Sequence, residues 1–162
     1  MTGANLLSFI MFGTDKATQA FPTFGPERQG APMMAFTRVD SQKIGDRSII
    51  QSPNLVIVLD PSLLPRVEYT GELAKGGVVI VNYNGSASDL KINPKYKVYA
   101  VDASGISNEL FKRNFPNSPL VGAAARILGV DLATIESRVN EFMPKEKEKN
   151  AEAARRGYHS IK

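Results

Sequence analysis

Cysteine is absent from the 162-residue chain, which excludes disulfide staples, a thiolate nucleophile, cysteine-held zinc and iron–sulfur clusters within it. The only histidine is His159, three residues from the end, so neither a histidine zinc site nor a Ser-His-Asp triad is expected. Tryptophan is absent too. No run of about eighteen apolar residues occurs, so no membrane span is expected. Residues 1–12 are apolar but lack a basic leader and read poorly as a secretory signal, which leaves the cytoplasm as the expected compartment. Phosphate-cradle motifs are missing as well: there is no GxxxxGK[ST], and no GxGxxG follows a strand pattern.

Basic charge is scarce outside the tail. The net charge is +4, but residues 145–162 hold six basic and three acidic side chains, leaving the rest nearly neutral. Nucleic-acid recognition needs a clustered basic footprint with aromatics or a known motif. Neither is present, so no nucleic-acid partner is expected, and residues 145–158 read as a solvated polar helix. The 43% hydrophobic and 22% charged content is that of an ordinary globular protein. A chain of this length can bury a core as one domain, and 1–162 is expected to be one.

Three apolar runs dominate what is present: LVIVL at 55–59, VVIV at 78–81 and KVYAV at 97–101. Continuous β-branched runs mark strands buried on both faces, and interleaved crossovers make them parallel. The expectation is a three-layer α/β/α sandwich with a largely parallel, Rossmann-like sheet and a helical C-terminus. Residues 2–12 suit a buried helix ended by Gly13 and Asp15. Residues 17–21 and 33–39 suit strands, and a helix is expected within 62–75, limited by Pro65 and Gly71. Helices follow over 104–112, 120–128 (stopped by Gly129) and 132–142 (capped by Asp131, stopped near Pro144).

The polar candidates have ordinary accounts. Asp60 and Asp102 end strands and are read as helix caps rather than as general bases. Gly76-Gly77 precedes a strand and is read as a turn. Ser118 is read as an N-cap with Pro119 opening the helix, the alternative being a helix N-terminus offered to an anion. The segment Gly25-Pro26-Glu27-Arg28-Gln29-Gly30-Ala31-Pro32 differs, because a turn needs its glycines and prolines but not Glu27-Arg28. An arginine there grips a carboxylate or phosphate in one account and makes a weak surface pair in the other.

These residues resemble a known family. FPTFGPERQGAPMMAFTR at 21–38 is similar to the signature of the gamma subunit of 2-oxoacid:ferredoxin oxidoreductases. The likeness continues through PNLVIVLD at 53–60, GGVVIVN at 76–82, VDA at 101–103, NSPLVGA at 117–123 and the tail from 150 to 158. Gly-Ala-Pro after Glu-Arg-Gln is most like the pyruvate branch. The family usually opens with a short strand and a glycine-rich loop before the first helix, and Met1-Thr2-Gly3-Ala4 stands at or just after that point.

The resemblance implies an accessory gamma subunit, not catalytic alone, of an enzyme that oxidatively decarboxylates pyruvate with coenzyme A to acetyl-coenzyme A and carbon dioxide, reducing ferredoxin. It implies alpha, beta and delta partner subunits. It places thiamine diphosphate, Mg2+ and the iron–sulfur clusters on those partners and no cofactor on this chain. It implies a role in covering the active site and binding coenzyme A, for which Gly25, Glu27, Arg28, Gly30 and Asn117 are the candidate contacts. The alternatives are a free-standing Rossmann-like nucleotide-binding module, a purely structural subunit, and the gamma subunit of a 2-oxoisovalerate or 2-oxoglutarate enzyme.

Overall fold

The computed structural model describes residues 2–22, 33–70 and 73–162. In chain order the elements are α1 (Thr2–Phe12), β1 (Ala17–Pro22), β2 (Ala35–Asp40), β3 (Leu55–Val58), β4 (Val78–Asn82), β5 (Lys97–Val101), α2 (Ala103–Phe111), α3 (Asn117–Ile127), α4 (Leu132–Phe142) and α5 (Lys147–Ser160). Two 3-10 segments, Pro61–Thr70 and Ala87–Leu90, follow β3 and β4.

The three apolar runs form one parallel sheet in the order β3-β4-β5, with Val56 beside Val79 and Val79 beside Val98. β4 is central and the most deeply buried, with Ile80 and Val81 inaccessible to solvent. Burial on both faces explains why its sequence reads as an unbroken apolar run. One face, through Ile80 and Val101, joins α1, α3 and α4 in the main core with Leu6, Ile10, Leu120, Ile135 and Val139. The other face, through Val58, Val79 and Val81, is covered by Leu63, Leu64, Leu90 and Ile92, which lie in or beside the 3-10 segments. The chain is thus an α/β sandwich whose second outer layer is made of tight turns. The helix expected within 62–75 is a 3-10 segment, consistent with Pro65, which cannot donate to an α-helical ladder.

β1 and β2 stand apart as an antiparallel ribbon, with Phe21 opposite Phe36 and Pro22 opposite Ala35. The ribbon packs on α1, and the Thr37 hydroxyl donates to the Ala4 carbonyl at 3.0 Å.

Two local expectations are corrected. α5 is not a solvated helix: Asn150, Ala151, Ala153, Ala154 and Gly157 are buried. Its small residues let it cross α3 at backbone contact. A methyl group on Gly122 would collide with the Ala154 carbonyl, and one on Gly157 with the Pro119 carbonyl. Polar composition hid this face, because alanine and glycine pack by shape rather than by apolar bulk. Ser118 is not a cap either. α3 starts two residues earlier, behind Pro116 at the N-cap position, which contributes no side-chain hydrogen bond. The Ser118 hydroxyl is fully buried and donates to Asn150 Oδ1 at 2.7 Å. Asn150 in turn donates to the carbonyls of Lys145 and Glu146, both at 3.2 Å. The cap assignments at Asp102 and Asp131 agree with the structure: their carboxylates accept from Gly105 N–H at 2.8 Å and Thr134 N–H at 2.9 Å.

Candidate functional site

In open α/β sheets, ligands gather beyond the carboxyl ends of the strands. Here those ends are filled by side chains. Asn82, at the end of β4, donates from Nδ2 to the Leu59 carbonyl at 2.9 Å and to Ser104 Oγ at 2.8 Å. Its Oδ1 accepts from Ser104 N–H at 3.0 Å, and Ser104 Oγ donates to Asn114 Oδ1 at 2.9 Å. Together with the Asp102 cap, this chain of hydrogen bonds occupies the first amides of α2. Those amides are therefore not presented to an anion. Asp60 accepts from Ser62 N–H at 2.9 Å, and hydrogen bonds from Ser62 hold its carboxyl below its ordinary value of 3.8. It is ionised and engaged at neutral pH, as a cap is. These observations count against the free-standing nucleotide-binding module.

Among the described residues no strand pairs with the outer side of β3. A groove of about 1150 Å³ runs along the outer side of β3. Its floor includes Leu55 and Ile57 of β3 with Leu120 and Val121 of α3. One wall is β2 together with residues 43–51, and one end is formed by Gly3 and Ala4 of α1 beside Asn117. Asn117 is the first residue of α3, whose N-terminus has no side-chain cap. Its Oδ1 lies 3.1 Å from where a Gly3 Cβ would stand, so two helix N-termini meet at this end of the groove.

Of the site residues expected from sequence, Asn117 lies in the groove. Gly25, Glu27, Arg28 and Gly30 lie outside the described residues. Pro22 and Ala35, which bracket that stretch, are register partners at one end of the ribbon, and Ala35 lines the groove. Sequence reasoning missed the role of Arg38, read only as part of an alternating strand. Its guanidinium donates from Nη1 to the Asp46 carbonyl and from Nη2 to the Ser48 carbonyl, both at 2.7 Å. The Asp-x-Ser turn at 46–48 was the available signal, since such turns present carbonyls in a tight arc.

Among the described residues no group of three or more His, Asp or Glu side chains could hold a metal ion. No helix among them is long and apolar enough to cross a membrane. Three of the tail's six cations form ion pairs among the described residues, Lys149 with Glu146 and two arginines across helices. Arg156 bridges Glu109 of α2 and Glu152 of α5, and Arg155 bridges Glu136 of α4 and Glu152.

A parallel sheet closed by side chains at its strand tips, with helices on one face and tight turns on the other, defines an α/β domain. The chain belongs to the pyruvate ferredoxin/flavodoxin oxidoreductase family, whose pattern matches residues 1–160. It is similar to the pyruvate/ketoisovalerate oxidoreductases common subunit gamma of Thermococcus kodakarensis, with 41% identity over 98% of this chain and 89% of that protein. It is 39% identical to the pyruvate synthase subunit PorC of Methanothermobacter thermautotrophicus, over 99% of this chain and 88% of the relative. The crystal structure of the pyruvate oxidoreductase subunit PORC of Thermotoga maritima superposes with a TM-score of 0.79 at 32% identity, covering 99% of this chain and 88% of that one.

Proposed function

We propose that this chain is the gamma subunit of a cytoplasmic pyruvate:ferredoxin oxidoreductase. In that enzyme pyruvate and coenzyme A give acetyl-coenzyme A and carbon dioxide, and ferredoxin takes the electrons. The observation that carries the reading is the 41% identity to an oxidoreductase gamma subunit across 98% of the chain. The alpha, beta and delta subunits complete the assembly and hold thiamine diphosphate, Mg2+ and the clusters. This division of labour agrees with a chain that has no cysteine to ligate iron. The Thermococcus relative is named as common to pyruvate and ketoisovalerate enzymes. A shared subunit cannot select between two 2-oxoacids, so a 2-oxoisovalerate enzyme is the second reading, and the acid pocket belongs to other chains.

The finer role is to cover the active site and to hold coenzyme A. Arg28 grips a phosphate through its planar fork, flanked by Gly25, Glu27 and Gly30, while Asn117 contributes from the groove end. One feature supports this: the uncapped α3 N-terminus at Asn117. In the assembled enzyme, Arg28→Ala is expected to raise the KM for coenzyme A by one to two decades. Losing one charge-assisted contact is worth about 1.5–3 kcal/mol. Arg28→Lys recovers part of the loss, and the KM for pyruvate stays put. An unchanged KM for coenzyme A, with weakened assembly, would instead assign Arg28 to a subunit contact.

A further inference from the structure

Asn84-Gly85 is the only Asn-Gly pair in the sequence, and it lies in the connection between β4 and the 3-10 segment Ala87–Leu90. Both residues are exposed and form a bend. The connection is held on either side of the pair. Tyr83 N–H donates to the Val101 carbonyl at 3.0 Å. At the other end Ser86 N–H donates to Asp89 Oδ2 at 3.1 Å, and Ser86 Oγ accepts from Ser88 N–H at 3.4 Å. Between these anchors, among the described residues, no hydrogen bond engages the Asn84 carboxamide or the Gly85 N–H. The Tyr83 ring lies against Gly85, and a methyl group added there would stand 2.5 Å from its Cε1. The position therefore suits the one residue whose amide nitrogen no side chain hinders.

Other asparagines are restrained where this one is not. Asn82 is buried and uses both ends of its carboxamide, Nδ2 on the Leu59 carbonyl and Oδ1 on Ser104 N–H. Asn93 Oδ1 accepts from Lys95 N–H at 3.1 Å, and Pro94 after it has no N–H. The carboxamides of Asn114 and Asn150 are bonded as well.

We propose that Asn84-Gly85 is a site of spontaneous covalent modification in the folded protein. The Gly85 amide nitrogen, having lost its proton to base, attacks Asn84 Cγ. A nitrogen–carbon bond forms, the Cγ–Nδ2 bond breaks, and the departing nitrogen takes up a proton and leaves as ammonia. The product is a cyclic succinimide. Water then opens either of its carbonyls and leaves an aspartyl or an isoaspartyl residue at 84. Water is the only co-reactant, and nothing is oxidised or reduced. Because the nucleophile is the deprotonated amide, the reaction speeds up as pH rises. Either product adds a negative charge two residues beyond Asn82. The isoaspartyl form also adds one carbon to the main chain between the Val101 contact and the Ser86 cap. That cap opens the segment whose Leu90 covers Val58, Val79 and Val81. The inference is independent of the proposed function, and its test needs no coenzyme A.

For the test, the full chain is incubated at neutral and at mildly alkaline pH, folded and in urea, and then digested with trypsin. Residues 76–91 leave as one peptide that carries both Asn82 and Asn84, so each sample holds its own control. Fragment masses locate the change from amide to acid. Isoaspartyl methyltransferase with labelled S-adenosylmethionine counts the isoaspartyl groups. Folded protein is expected to convert Asn84 faster at the higher pH, at a rate less than tenfold below that of the urea-unfolded chain, while Asn82 stays intact. Asn84→Gln, which must form a less favourable six-membered ring, should cut labelling tenfold or more while leaving the contact between Tyr83 and Gly85 in place. The proposal is overturned if folding slows conversion of Asn84 tenfold or more. It is equally overturned if Asn84→Gln is labelled as fast as the natural sequence.

Discussion

At the residue scale, the crossing of α3 and α5 depends on two absent side chains. Alanine for glycine in an exposed helix stabilises by about 1 kcal/mol. At Gly157 the sign reverses, because the added methyl meets the Pro119 backbone, which cannot swing aside as a side chain would. Gly157→Ala is expected to cost about 1–3 kcal/mol by overpacking. Differential scanning calorimetry should show a lower Tm, and a raised Tm would mean that the helices are further apart than described. Carboxylates give a second residue-scale expectation. Hydrogen bonds from Ser48, Ser62 and Thr134 hold the carboxyls of Asp46, Asp60 and Asp131 below their ordinary value of 3.8. A depressed carboxyl contributes stability above its unfolded value and loses it as pH falls through the folded one. Chemical-denaturation midpoints should therefore fall as pH drops from about 4 downward, and Asp131→Asn should flatten that fall.

At the element scale, what was legible in the sequence follows from how each element is buried. The β3, β4 and β5 runs announced themselves because a strand covered on both faces has no polar phase to break it. α4 was bounded correctly because Asp131 and Pro144 are local signals that need no tertiary partner. α5 was misread because its packing is made by Ala151, Ala154 and Gly157, which carry little hydrophobicity, while its charged residues bond one another along the surface. Ser118 was misread because a serine before a proline suits a cap and a buried donor equally well, and only the position of Asn150 decides. The Arg38 contacts to Asp46 and Ser48 depend on a turn several residues away, which periodicity cannot report. The same burial ranking predicts dynamics. Native-state hydrogen exchange should find β4 amides opening only with global unfolding, and β1–β2 amides, in a half-exposed ribbon outside the main sheet, exchanging at least tenfold faster. Equal protection in ribbon and sheet would show that the two unfold as one unit.

At the scale of the whole molecule, the architecture is that of an α/β domain whose strand tips are closed by side chains. Asn82 and Asp102 occupy the place where a self-sufficient nucleotide-binding protein would open its crevice. The family was legible from ordered motifs along the chain, and no single residue carried it. Of the expected contacts, Asn117 lines the groove, and Gly25, Glu27, Arg28 and Gly30 lie outside the described residues. The central claim is that this 17.6 kDa chain works as one subunit of a larger oxidoreductase. Native mass spectrometry of the complex purified through a tag on this chain, with pyruvate- and coenzyme A-dependent viologen reduction measured on the same sample, tests it most directly. The account predicts an active assembly containing this chain and three further kinds of subunit. A lone chain, with the activity found only in fractions that lack it, would contradict the account.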